Sequence, residues 1–134
     1  MTKFEKWIIN EISVETGGVI NSVKDISMHE DQIGNKALKV LMEYACKSQT
    51  TALILQSRVY MSEISKEWLK LHFMNVSDEC IDYSDGWEYR RLVELVEEVI
   101  PELRKEVFFR GKDVDDNEIK EVIEDFYKDF QDSL

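Results

Sequence analysis

Apolar residues recur at helical spacing along nearly the whole chain, separated by short polar gaps. The clearest run is residues 82–101, DYSDGWEYRRLVELVEEVIP. Ser84 and Asp85 stand ahead of it, and their side-chain oxygens can accept the N–H groups that a helix start leaves free. Tyr89, Leu92, Val93, Val96, Val99 and Ile100 then share one face, with Glu94, Glu97 and Glu98 opposite. Pro101 cannot continue this helix but suits the first turn of another. The expectation is helix, tight joint, helix.

Earlier in the chain, Phe4, Trp7, Ile8 and Ile12 make a narrow helical stripe that Gly17-Gly18 ends. The glycine pair reads as a plain turn, because the Gly/Lys/Ser pattern of a phosphate cradle is missing around it. In residues 19–34, Val19, Ile20, Val23 and Ile26 fit either a short helix or an irregular packed segment, and His29 falls in a polar loop. Asn35 is the expected cap of a helix whose inner face is Leu38, Leu41, Met42 and Ala45. Beyond a polar joint at 48–51, Ala52, Leu55 and Val59 with Leu53, Tyr60 and Ile64 form a broad stripe. That breadth suits a helix covered on more than one side.

Ser65 starts the next helix. Trp68, Leu69, Leu71, Phe73 and Met74 leave it so little polar surface that it is expected to be central. Ser77, Cys80 and Ile81 read as a separate short turn. After Pro101, Leu103, Val107 and Phe108 point inward as far as Gly111, expected to be a left-handed residue past the helix end. Asp115, with Glu118 three residues on, has the form of a capping box. Ile119, Val122, Ile123, Phe126 and Phe130 follow as one terminal helix.

Helices of this length joined by two to five polar residues imply antiparallel neighbours stacked in order. Three successive pairs, near 36–64, 66–82 and 87–111, resemble a short HEAT-like α-solenoid of about seven helices. DGWEYRRLVELVEEV and the later GKDVDDNEIKEVIEDF are also similar to small bacterial helical-repeat proteins, some of which are immunity proteins of polymorphic toxin systems. The resemblance covers residues 36–130. It implies an all-α protein-binding module whose partner is a basic protein, such as a secreted nuclease-type toxin. The alternative it leaves open is a helical-repeat scaffold or adaptor with no toxin partner.

Composition narrows the picture. A chain of 134 residues, 43% hydrophobic and 34% charged, suits one helical domain over 1–134, with the repeat core at 35–134. Five glycines and one proline are too few for a turn-rich β fold. Cys46 and Cys80 have no CxxC spacing and read as reduced thiols in a cytoplasmic protein. No apolar run approaches a membrane span, and the N-terminus lacks the apolar core of a signal peptide.

Charge is uneven. The net charge is −11, and residues 78–134 carry all of it, because the nine acidic and nine basic residues of 1–77 cancel. Such a field repels nucleic acid and anionic lipid and attracts basic partners, although an acidic surface also serves solubility.

Candidate chemistry is sparse. Asp113, Asp115, Asn117 and Glu124 take positions 1, 3, 5 and 12 of an EF-hand loop, but Glu118 stands where that loop needs glycine. A capped helix explains the same residues. Cys46, His72 and Cys80 would have to converge from three helices to hold a metal, and no G-x-S-x-G or similar nucleophile pattern occurs. The expectation is no enzyme, no metal and no cofactor.

Trp87, Tyr89, Arg90 and Arg91 are residue types that dominate interface hot spots. The favoured reading is nonetheless structural, with Trp87 and Tyr89 closing a core at a helix start and Arg90 and Arg91 paired to Glu94, Asp85 or Asp82. The expected partner-binding set is Trp87 and Tyr89 with the outward carboxylates Glu94, Glu97, Glu98, Glu121, Glu124, Asp125 and Asp129.

Overall fold

The computed structural model describes residues 1–132, which are all-α, with no strand among them. The α-helices are α1 (Lys3–Glu15), α2 (Asp31–Lys47), α3 (Thr51–Ser62), α4 (Lys66–Cys80), α5 (Gly86–Val99), α6 (Arg104–Gly111), α7 (Asn117–Phe126) and α8 (Lys128–Asp132). Two 3-10 turns, Val23–Met28 and Pro101–Leu103, lead into α2 and α6. From α2 onward the helices are joined by five residues or fewer. α2 packs against α1, α3, α4 and α5, and α5 in turn against α6 and α7. Their buried apolar side chains form one continuous core.

Polar oxygens set the starts of α4 and α5 where sequence pattern places them. Ser65 accepts the Trp68 N–H at 3.5 Å, and Asp85 accepts that of Glu88 at 3.0 Å. Glu88 reaches back to take the Asp82 N–H at 3.1 Å. α1 ends in a Schellman turn: the Gly18 N–H donates to the Ser13 carbonyl and the Gly17 N–H to that of Val14. Both glycines have positive φ, 66° and 81°, so a side chain at either would be strained. Pro101 ends α5 and opens the next turn, as its missing N–H requires.

Several expectations change. Asn35 lies inside α2, which begins four residues earlier without a side-chain cap. The central helix is α2 rather than α4. α2 buries Ala37, Leu38, Val40, Leu41, Met42, Ala45 and Cys46, whereas Leu71 of α4 is 76% exposed. The broad stripe of α3 is only half covered, since Leu55 and Val59 remain exposed. Ser77 and Cys80 belong to α4 itself.

Within residues 19–34 a short 3-10 helix, Val23–Met28, forms, and Ile20, Val23 and Ile26 are buried. The cap of α7 is Asp116, which accepts the N–H groups of Glu118 and Ile119 at 2.9 and 3.1 Å, while Asp115 pairs with Lys120. Since α7 is wound from Asn117, that residue and Glu124 lie within one helix rather than in an EF-hand loop. The terminal run breaks at Tyr127, which is buried, and so yields two helices, bringing the total among the described residues to eight rather than about seven.

Gly111 is the most informative correction. Its φ is not positive, and it serves close approach rather than chain reversal. A Cβ there would come within 2.8 Å of Tyr89 Cε2, with the phenol ring closer still. Tyr89 is fully buried between α5 and α6, and its hydroxyl donates to the Val107 carbonyl at 2.7 Å. Burial pushes the phenol pKa up, so it remains a donor.

At the same end of the fold, Arg110 of α6 holds Asp78 of α4 through both carboxylate oxygens, at 3.1 and 3.0 Å. The Tyr83 hydroxyl donates to the same carboxylate. Those bonds, Arg110 first, lower the Asp78 pKa below its ordinary value.

Two expected outcomes follow from these contacts. Gly111→Ala forces the Tyr89 ring to move and is expected to cost about 1–3 kcal/mol in chemical denaturation. Separately, the depressed Asp78 pKa contributes stability that is full above the unfolded-state value and is lost as pH falls through the folded one. The melting-temperature gap between parent and Asp78→Asn is therefore expected at pH 7 and should close as pH falls below about 4. A gap that widens in acid would contradict this.

Candidate protein-binding groove

Burying Tyr89 fixes the rotation of α5 and turns Trp87, Arg90, Arg91, Glu94, Glu97 and Glu98 outward on one arc of the helix. α3 lies along one flank of that arc and α7 along the other. Between α5 and α7 runs an open groove of about 520 Å³, lined by Gly86, Trp87, Arg90, Arg91, Glu118, Glu121 and Asp125. Gly86 brings the two helices close. A Cβ there would come within 2.6 Å of the Glu118 Cβ, so glycine lets α7 rest against the first turn of α5.

The outward carboxylates are held by cations, most of them guanidinium groups. Glu94 is shared by Arg91 on its own helix and by Arg58 of α3, the latter at 3.2 Å. Arg58 also reaches Glu98 at 3.3 Å and is itself only 11% exposed. Arg90 bridges from α5 to α7, 2.9 Å from Asp125 and 3.9 Å from Glu121. Arg104 holds Glu97 at 2.5 Å and reaches Asp129 at 3.8 Å, while Glu124 pairs with Lys128 at 3.4 Å. The hydrogen bond from Arg104 to Glu97 raises the guanidinium pKa above its ordinary value.

Aromatic rings lie against these guanidinium groups. The Arg91 guanidinium lies 4.3 Å from the Trp87 ring centroid, close enough for a cation–π contact. Arg90 lies 5.7 Å from the Phe126 ring, and Arg104 covers Tyr127 and Phe130 at 5.7 and 5.0 Å. Trp87 remains 46% exposed.

The expected site therefore divides. Trp87, Glu121 and Asp125 come together in the groove; Glu94, Glu97 and Glu98 continue the α5 arc; Glu124 and Asp129 stand on α7 and α8. Tyr89 is corrected out of the set, since a fully buried ring cannot touch a partner. Sequence reasoning missed Arg58, Arg104, Gly86 and Glu118. For Arg58 a faint signal exists: it is the sole arginine in residues 1–77, where every other cation is a lysine.

Elsewhere, His72 stacks on Trp68 with ring centroids 4.2 Å apart, and its Nε2 lies 3.5 Å from Asp31, as suits a residue at the core edge. Cys46 and Cys80 are both buried and free. Burial raises both thiol pKa values, that of Cys80 to about 12, which keeps them protonated at neutral pH.

A pair of truncations separates the two aromatics. Trp87→Ala removes an exposed ring and one cation–π contact, so it is expected to cost about 1 kcal/mol or less. Tyr89→Ala empties a core site and is expected to cost about 3–5 kcal/mol. Equal losses of melting temperature would contradict the placement of Trp87 outside the core.

No protein-family model matches the chain, and no curated protein or solved structure matches it.

Proposed function

We propose that the protein is an acidic binding module that captures a basic partner. More narrowly, it acts in the cytoplasm as an immunity protein that occludes the cationic active-site surface of a toxin. The observation that carries this reading is an exposed tryptophan set among carboxylates that cross-helix arginines hold in fixed positions. Tryptophan and arginine are enriched where binding energy concentrates. A carboxylate already ordered by an arginine loses less freedom when a partner docks.

The field supports the same reading. Internal pairing orders the carboxylates but leaves the net charge at −11. At long range the partner meets that excess, which speeds encounter with a basic protein and weakens as salt screens it. At short range it meets Trp87 and the carboxylate rows of α5 and α7, which set orientation.

The test is rescue and kinetics with one protein, the product of the gene immediately upstream. Co-expression of this chain is expected to restore growth to cells that product arrests. Association of the purified pair should slow steeply as salt rises. Glu121 and Glu124 are 70% and 58% exposed, and replacing both with lysine should leave the fold intact. It should slow association about tenfold or more at low salt. Absence of rescue, or an association rate indifferent to salt and to these changes, would sink the proposal.

A further inference from the structure

The charge inside the α5–α7 groove does not balance. Glu118, Glu121 and Asp125 all line it from α7 and its first turn. Arg91 also lines the groove but is engaged by Glu94 on its own helix, so Arg90 is the arginine that reaches the carboxylates of α7. Arg90 sits 2.9 Å from Asp125 but 3.9 Å from Glu121, and among the described residues no cation pairs with Glu118. Three carboxylates face two guanidinium groups in the lining, so one net negative charge is left beside an aromatic ring. Arg91 lies over that ring, yet Trp87 keeps 46% of its surface open.

A flat apolar surface next to uncompensated carboxylates suits one side chain above others. A guanidinium is planar, stacks on an indole, is less strongly hydrated than an ammonium and meets carboxylates through a fork of N–H donors. Lysine supplies the same charge as a compact, well-hydrated point and gains less from the ring. The groove already shows the arrangement in miniature, with Arg91 against Trp87 and Arg90 against Asp125.

We infer that the α5–α7 groove receives an arginine side chain of the basic partner, stacked on Trp87 and hydrogen-bonded to Glu118, Glu121 or Asp125. This rests on the reading of the protein as a module that binds a basic partner, and it adds a specificity to that reading: arginine over lysine.

Nona-arginine and nona-lysine carry equal charge and separate the two ideas. Binding of each to the full chain is measured by isothermal titration calorimetry at one salt concentration. Nona-arginine is expected to bind about tenfold more tightly, the scale of a desolvated cation–π contact. Trp87→Leu should erase that preference while leaving the weaker, charge-driven binding of both peptides. Glu118→Gln with Glu121→Gln should erase it too, and circular dichroism of each variant checks that the helices persist. Equal affinity for the two peptides, or a preference that survives Trp87→Leu, would overturn the arginine groove and leave electrostatic capture standing. Failure to bind either peptide even at low salt would overturn the groove and count against capture as well.

Discussion

The buried Tyr89 is the constraint on which the exposed face depends. Its ring occupies the space that a side chain at Gly111 would need, and its hydroxyl is satisfied by the Val107 carbonyl. A buried hydroxyl without a partner would cost about 1–3 kcal/mol, so the bond locks the ring as well as stabilising it. One helix face cannot rotate without the other. With Tyr89, Leu92, Val93 and Val96 facing the core, Trp87, Arg90, Arg91 and Glu94 have nowhere to go but outward. The placement of the groove is thus a consequence of packing on the opposite side of α5.

Arginine does the work of joining helices at the surface. Of five arginines, four link different helices: Arg58 joins α3 to α5, Arg90 joins α5 to α7, Arg104 joins α6 to α5 and α8, and Arg110 joins α6 to α4. Lysines more often pair locally, as in Lys39 with Glu43, Lys120 with Asp115 and Lys128 with Glu124. Reach and a forked donor explain the difference. Exposed pairs of this kind contribute about 0–1 kcal/mol each, so their effect lies in position more than in stability. The two halves of the chain are also less separate than their charges suggest. Arg58, Lys47 and Lys66 from the neutral half are spent on Glu94, Glu98, Glu88 and Glu102 of the acidic half.

Much of this fold is legible in sequence because local rules and packing agree. Every inward position expected on α5 is buried, and Pro101 breaks the chain where its ring demands. Errors arise where several residues compete for one role. Asp115 and Asp116 both suit a cap, and only tertiary placement selects the second. Gly111 looks like a helix terminator, because sequence does not reveal which ring will press on it. Tyr89 looks like an interface residue for the same reason: chemistry that suits a hot spot also suits a core with one acceptor to spare. Pairs such as Arg58 with Glu94, 36 residues apart, leave no local periodicity to read.

A carboxylate held by an arginine differs from a bare one in what a partner must do to use it. A bare carboxylate must shed water and lose side-chain freedom at the moment of binding. One already oriented by Arg90 or Arg104 has lost that freedom during folding, and it keeps lone pairs free for a second donor. On the proposed reading, a partner cation therefore joins an existing pair or takes over from the internal arginine. Takeover conserves charge-assisted hydrogen bonds only when the newcomer has the same forked geometry. Point-charge attraction alone would not distinguish arginine from lysine; an exchange of like for like does. On that reading the internal arginines hold the carboxylates in place for the newcomer's fork, while stacking on Trp87 favours a guanidinium over an ammonium.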